Sequence, residues 1–292
     1  MKSKKKRVRE ITDYIKFVFP MLILYILFFI LPLFQTIGYS FTDYNGINPK
    51  KEFTGLTNYF DVFQDKWFYN SMAFTGKSVL LMILLANVLG FLLALALNTK
   101  IKSRNILRAI VFCPFVFNNV TVGFIWQFLL GRFMTDLYPL TGWKVFNIGW
   151  LSDNSLVLYS VVFDKLWQSR GYFMVIYLAG LQLLPQDPLE AAVIDGCTGI
   201  KMIRYITIPL MKPTAFVCIF LAITESLNMF PLIMSLTNGG PGHASENISL
   251  YIYNEAFKSH RMGYASALAV ILTIIMTIIA GLQMKLTRED AG

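Results

Sequence analysis

Asp187-Pro188-Leu189-Glu190-Ala191-Ala192-Val193-Ile194-Asp195-Gly196-Cys197 is the stretch that decides the fold, and it continues through Lys201, Arg204 and Ile206 to Pro209 and Pro213. It lies between two long apolar runs and contains no run of its own able to cross a bilayer, yet it carries helix punctuation throughout. Asp187 predicts an N-cap, Pro188 fits the first helical position where its missing N–H is not needed, and Glu190 completes a capping box. Asp195-Gly196 predicts the stop, because glycine enters the left-handed region at low cost. Thr198 then predicts the cap of a second helix running to about Ile206 and closed by Pro209. On that helix Ile200, Ile203 and Ile206 recur at helical spacing as an apolar stripe, with Lys201 and Arg204 beside it. The stretch reads as a helix-turn-helix with one face to bury, a folded handle on a membrane protein.

Composition supplies the membrane. Hydrophobic residues make up 55% of the 292, charged residues 15%, and mean hydropathy is +0.55, more apolar than a soluble core of that size requires. Six apolar stretches, at about 17–37, 78–97, 107–130, 155–184, 214–236 and 263–284, are each long enough to span hydrocarbon. The fold class expected is therefore an all-α membrane protein with six transmembrane helices.

Lysine and arginine placement orients it. Lys2, Lys4, Lys5, Lys6, Arg7 and Arg9 crowd the N-terminal tail, and Lys100, Lys102, Arg104 and Arg108 follow the second span with no acid among them. Both segments belong in the cytoplasm. Segments 38–69 and 131–154 balance their charges and face outward, so the N- and C-termini and the handle are all expected to be cytoplasmic. The basic tail precedes a long apolar run containing Pro20 and Pro32 and no small-residue cleavage site, which predicts an uncleaved first span on the outside of the bundle.

The sequence offers nothing for intrinsic catalysis. It holds no phosphate loop, no paired nucleophile and base and no nucleic-acid motif behind its +9 charge. Cys113, Cys197 and Cys218 lie at no metal-ligand spacing and are expected to be unpaired, and His243 and His260 are expected to be solvated.

Polar residues inside the apolar runs are the informative ones, because in hydrocarbon they must face protein or a wet cavity. The second span carries Asn87 and Gly90-x-x-x-Ala94, spacing that favours close helix contact. The third carries Pro114, Asn118, Asn119, Trp126 and Gln127. In the fourth, Asp164, Lys165, Gln168 and Arg170 surround Trp167 and Tyr172, which places Trp167, Gln168 and Arg170 near an outward opening. The fifth has Glu225 and Asn228 near its middle and Pro231 after them, predicting a kink that frees a carbonyl around Leu227. The third-span residues and Glu225 are equally compatible with structural hydrogen bonding and with a pathway wall, and the fourth-span charges place either the membrane entry near residue 165 or a water-lined outer half of the helix.

Glu190-Ala191-Ala192-x-x-Asp195-Gly196, followed by Ile206-x-Ile208-Pro209-Leu210-x-x-Pro213, resembles the cytoplasmic "EAA" loop of the permease subunits of binding-protein-dependent ABC importers. Leu236-Thr237-Asn238-Gly239-Gly240-Pro241 resembles the segment after the fifth core span in their carbohydrate branch, the relatives of the maltose and glycerol-3-phosphate importer permeases. Trp126 and the stretch from Trp167 to Pro185 fit the same pattern. The sequence departs from it at Cys197, Gly199 and Ile203, conservatively, and at Pro231, where many carbohydrate relatives have Asp.

The resemblance implies the type I (MetI-like) importer permease fold, with a basic tail at 1–16, a first helix and outer loop at 17–70, a permease core at 71–285 and a short tail at 286–292. It implies that the loop at 185–213 couples to an ATPase through Glu190, Ala191, Ala192, Asp195, Gly196, Ile200 and Ile203. It implies a second permease subunit, two cytoplasmic ATPases that bind the ATP and Mg, and an extracytoplasmic solute-binding protein that delivers a carbohydrate, with no cofactor, metal or catalytic residue in this chain. Apolar rings and amides suit sugars, so Asn119, Gln127, Trp167, Gln168, Glu225 and Asn228 are the expected pathway residues. A polyol phosphate is the alternative cargo, for which Arg170 is the first cation to consider, and a secondary transporter is the remote alternative class.

Overall fold

The computed structural model describes residue 16, residues 18–99 and residues 102–289. The orientation signal of the tail from Lys2 to Arg9, Lys100 and the last residues of the C-terminal tail lie outside them. Apart from one isolated antiparallel bridge between Thr42 and Phe53, the regular structure of the described residues is helical.

The helices, in chain order, are α1 (Val18–Tyr39), α2 (Thr57–Gln64), α3 (Lys66–Leu97), α4 (Arg104–Val116) and α5 (Asn119–Thr141). There follow α6 (Val157–Gln182), α7 (Gln186–Ile194), α8 (Ile200–Leu210) and α9 (Lys212–Leu227), α10 (Phe230–Leu236), α11 (Ile248–Tyr253) and α12 (Met262–Glu289). Three helices, α1, α3 and α12, are long and apolar enough to cross a membrane, and five crossings result if the bent pairs α4–α5 and α8–α9 each count as one. α6 has the length as well, 26 residues, but its polar middle sets it apart by composition.

The chain divides into two compact units. One takes the chain up to Asp65 together with Ile252–Met276, and the other takes Lys66–Tyr251 together with the end from Thr277. In the first, Asn58 donates from its amide to the carbonyls of Ser40 and Thr42, and Tyr59 and Ser40 share a hydroxyl hydrogen bond, which fixes α2 against the end of α1. The apolar side chains of α1 are exposed along its length.

In the second unit α3 packs along α6. The buried stripe of α3, including Ser71, Ser78, Ala86, Gly90 and Ala94, is rich in small side chains that let backbones approach. Gly90 faces the Phe173 backbone and Cβ so closely that an added Cβ would stand 2.7 Å away. The serine and threonine hydroxyls bond back to carbonyls one turn earlier, Thr75 to Ser71 and Ser78 to Phe74, so they cost little in an apolar setting. Asn87 accepts from the Tyr177 hydroxyl at 2.6 Å, an α3–α6 bond that answers for the expected intramembrane amide. Gly171 of α6 lies against the backbone of Val111 and Phe112 in α4.

The expected single third span is broken. Pro114 sits in a turn of 3-10 helix, Phe117 and Asn118 are extended, and the chain bends by 93° between α4 and α5. Asn118 caps the new helix by accepting from the Val120 amide. The fifth span breaks where expected, between α9 and α10 at Asn228–Met229, and its freed Leu227 carbonyl accepts from the Ser249 hydroxyl. His243 is not simply solvated. Its Nδ1 is hydrogen-bonded to Glu246, its ring lies 4.3 Å from that of Trp67, and its carbonyl accepts from Asn70, tying the segment after α10 to the start of α3. The three cysteines are free.

Candidate functional site

The centre of the second unit is organised by Lys165, about a third of the way along α6 and 2% exposed. Its ammonium lies 2.7 Å from the Glu225 carboxylate on α9. It also donates to Asn119 at the start of α5 and to Gln168 one turn on, at 3.3 and 3.2 Å. Gln168 in turn donates from its amide to the Phe117 carbonyl at 2.9 Å. Each bond has a physical reason. The break at Phe117–Asn118 leaves a carbonyl without a helical partner in a region where water is scarce, and Gln168 supplies the donor. A lysine at that depth needs a counter-charge, and Glu225, in the last turn of α9 before its break, provides it. The cluster ties both broken spans to the one long helix between them.

Aromatic rings border the cluster. Trp126 meets Phe163 and Trp167 edge-on, with centroids 5.1 and 5.6 Å apart, and the Arg170 guanidinium lies 5.7 Å from the Trp167 ring. Asp164, beside Lys165, is fully buried, and its carboxyl oxygens have no hydrogen-bond partner among the described residues. A cavity of about 470 Å³ opens between Leu81 and Leu85 of α3, Trp126 and Leu130 of α5, and Phe163 and Leu166 of α6. Its walls are apolar and cannot satisfy sugar hydroxyls.

Of the expected pathway residues, Asn119, Gln168 and Glu225 are therefore joined, and Trp167 stands next to them. Gln127 and Asn228 are exposed and belong to no hydrogen bond of the cluster among the described residues. The residue that sequence reasoning undervalued is Lys165, counted among the charges around Trp167 but not as their hub. The signal was available: a lysine in mid-span requires an acid within reach, and Glu225 is the acid at matching depth in another span.

The handle is built as two helices with corrected limits. The first begins at Gln186 with Pro185 at its N-cap and no side-chain cap, so Asp187 lies within the first turn and the capping box is not formed. Asp187 still places a carboxylate near the helix's positive end. Its stop matches expectation. Gly196 has φ +75°, Cys197 N–H bonds to Ala192 and Gly196 N–H to Val193, the paired bonds of a Schellman ending. Gly199, at φ +59°, rather than Thr198 precedes the second helix. That helix passes through Pro209 to Leu210, because the proline stands in the first turn of its final segment, after a π turn at Ile203–Thr207, where no N–H is required. It then turns by 70° into α9.

Glu190, Ala191, Asp195, Gly196 and Ile200 are exposed, Ile203 is half-buried and Ala192 is buried. Ile194 and Ile200 are 86% and 83% exposed. Among the described residues Glu190 and Asp195 form no ion pair with Lys201 or Arg204. A rigid turn flanked by uncovered isoleucines and free carboxylates is a docking surface in form.

Residues 86–288, covering both the cluster and the handle, match the family model described as the binding-protein-dependent transport system inner membrane component. The chain belongs to that family. As a member it is a membrane permease subunit of an ABC transporter, and its activity is transport rather than catalysis. This permease is 35% identical to the probable starch degradation products transport system permease protein AmyD of Thermoanaerobacterium thermosulfurigenes, over 99% of this chain and 98% of that one. It is 34% identical to the multiple sugar-binding transport system permease protein MsmF of Streptococcus mutans, over 92% of each. It is 28% identical to the sn-glycerol-3-phosphate transport system permease protein UgpA of Agrobacterium fabrum, over 93% of each. The permease also shares its fold with a chain of a bacterial ABC transporter that imports the acidic polysaccharide alginate, at TM-score 0.82 and 21% identity over 97% of this chain and 98% of that one.

Proposed function

We propose that this permease forms one half of the pathway of an ATP-driven importer that carries an oligosaccharide, delivered by an extracytoplasmic solute-binding protein, across a bacterial cytoplasmic membrane. Counting each bent pair as one crossing and adding α6 gives six spans. With Lys102, Arg104 and Arg108 on the cytoplasmic side, the termini and the handle share that side. A second, related permease closes the pathway, and two ATPases, which bind the ATP and Mg, receive the handles of the two permeases. Within this chain the permease core occupies 71–285, with the coupling loop at 185–213, and lipid surrounds the bundle.

One observation carries the assignment of roles: the exposed Schellman-capped turn at Asp195–Gly196, flanked by Glu190, Ala191, Ala192, Ile200 and Ile203. A lever must be stiff to pass on a push, and this turn is fixed by its own backbone bonds rather than by contacts with the bundle. At the other end, Asn119, Gln168 and Glu225 with Trp167 combine hydrogen-bonding groups and an aromatic face at mid-membrane, the chemistry that sugar rings and hydroxyls need. The names of the starch-product, multiple-sugar and trehalose/maltose permeases among its relatives support the carbohydrate assignment.

Uptake of labelled maltopentaose into right-side-out vesicles holding the full importer tests it. Glu190→Lys should abolish uptake while the permease stays folded and inserted. Undiminished uptake would refute the coupling role of the handle.

A further inference from the structure

α6 carries two cations near its middle, and only one of them is neutralised. Lys165 is taken by Glu225, Asn119 and Gln168. Arg170 makes no ion pair among the described residues, is half-buried, and lies over the face of Trp167. The 26 residues of α6 rise about 39 Å, which puts Arg170 roughly 20 Å from either end, at the depth of the hydrocarbon centre. A guanidinium stays charged there and is strongly disfavoured against lipid. Asp164 does not answer it, being fully buried and about 120° away around the helix. Arg170 shares its ridge of α6 with Tyr159 and Phe163, both large and exposed. Tyr159 and Phe163 border the apolar cavity, whereas a guanidinium is unfit to face acyl chains, which leaves the passage of the proposed importer as the setting for Arg170 itself.

We propose that Arg170, held over Trp167, sets the charge selectivity of the passage. This rests on the importer function above and specifies its cargo class: acidic and neutral glycans are admitted and cationic aminoglycans are excluded. The planar guanidinium presents a fork of N–H donors that fits two adjacent sugar hydroxyls or a single carboxylate, and the indole beneath it holds the fork in place. Glu225 cannot cancel the field, because its carboxylate is committed to Lys165 at 2.7 Å.

The test is equilibrium binding of three labelled pentasaccharides to the purified importer assembly without its solute-binding protein, so that the binding protein's own preferences do not enter. The probes are an oligouronate, maltopentaose and a chitosan pentamer. Wild type should bind them in that order. Arg170→Gln should compress the uronate-to-chitosan ratio by at least about 10-fold, as loss of one charge a few ångströms from the cargo requires, and Arg170→Lys should keep the order. Equal ratios in wild type and Arg170→Gln overturn the proposal while leaving the importer function intact. Loss of the second permease from Arg170→Gln also overturns it, by making Arg170 a subunit contact. Failure of the wild-type assembly to bind any of the three removes the carbohydrate assignment itself, and the proposal with it.

Discussion

Replacing Lys165 by methionine should strip the central cluster of its only cation and leave three acceptors, Glu225, Asn119 and Gln168, without the donor that now meets them at 2.7, 3.3 and 3.2 Å. Removing one partner of a buried pair costs about 3–5 kcal/mol in soluble proteins. Two facts reduce that here. The Glu225 side chain is 24% exposed and keeps part of its solvation, and side-chain hydrogen bonds inside membranes average only about 0.6 kcal/mol. The expected loss is therefore about 2–3 kcal/mol, or roughly 5–10 °C in melting temperature for a protein of this size. Lys165→Met/Glu225→Met removes both charges and should return to within about 1 kcal/mol of wild type, because apolar replacements of buried pairs are close to neutral.

Cys218 is buried in α9 and supplies the assay: a thiol-reactive dye that labels it only on unfolding, in a Cys113→Ser/Cys197→Ser background. If Lys165→Met melts with its parent, the cluster is not holding the broken spans. If the double variant is no better than the single, an unpaired Glu225 is not the cause of the loss.

Gly171→Ala should destabilise by about 1–3 kcal/mol, since its Cβ would stand 2.3 Å from the Val111 carbonyl oxygen and 2.5 Å from Phe112 Cα, backbone atoms that cannot swing aside. Gly76→Ala, with nothing within 4 Å, should instead match or exceed wild type by up to about 1 kcal/mol, and the same melting assay compares them. In the segment before α6, the Ser155 hydroxyl and amide donate to Asp153 and hold its carboxyl below the ordinary carboxylate range. A lowered folded-state value contributes stability above the usual range and loses it as pH falls through the lowered one. Ser155→Ala should therefore shift the acid-side loss to higher pH, read from melting temperatures between about pH 5 and 3, and Asp153→Asn should remove the difference.

The handle was legible because its signals are local. The glycine that stops its first helix needs only a positive φ, and φ +75° at Gly196 is what Asp195-Gly196 announced. The helix starts were less so. Asp187 and Thr198 both have capping chemistry, yet Pro185 and Gly199 stand at the helix entries, since a cap is chosen by where the chain comes from as well as by its side chain. The third span looked continuous from apolarity alone, and its 93° bend depends on Gln168 and Lys165, some fifty residues away, accepting the cost of the freed groups. For the same reason Asn119, Lys165, Gln168 and Glu225 are legible one by one as polar residues in apolar runs, whereas their convergence on Lys165 depends on how the spans pack.

Co-purification of the tagged permease with and without Gly196→Pro tests the central claim, that an ATPase drives this chain through the handle. Proline cannot adopt φ +75° and lacks the N–H that Gly196 donates to Val193, so the turn must fail while the bundle stands. The account predicts that wild type recovers a second permease and an ATPase, and that the variant keeps the permease and loses the ATPase alone. An ATPase that stays with the variant, or a folded wild type that recovers no ATPase, would contradict it.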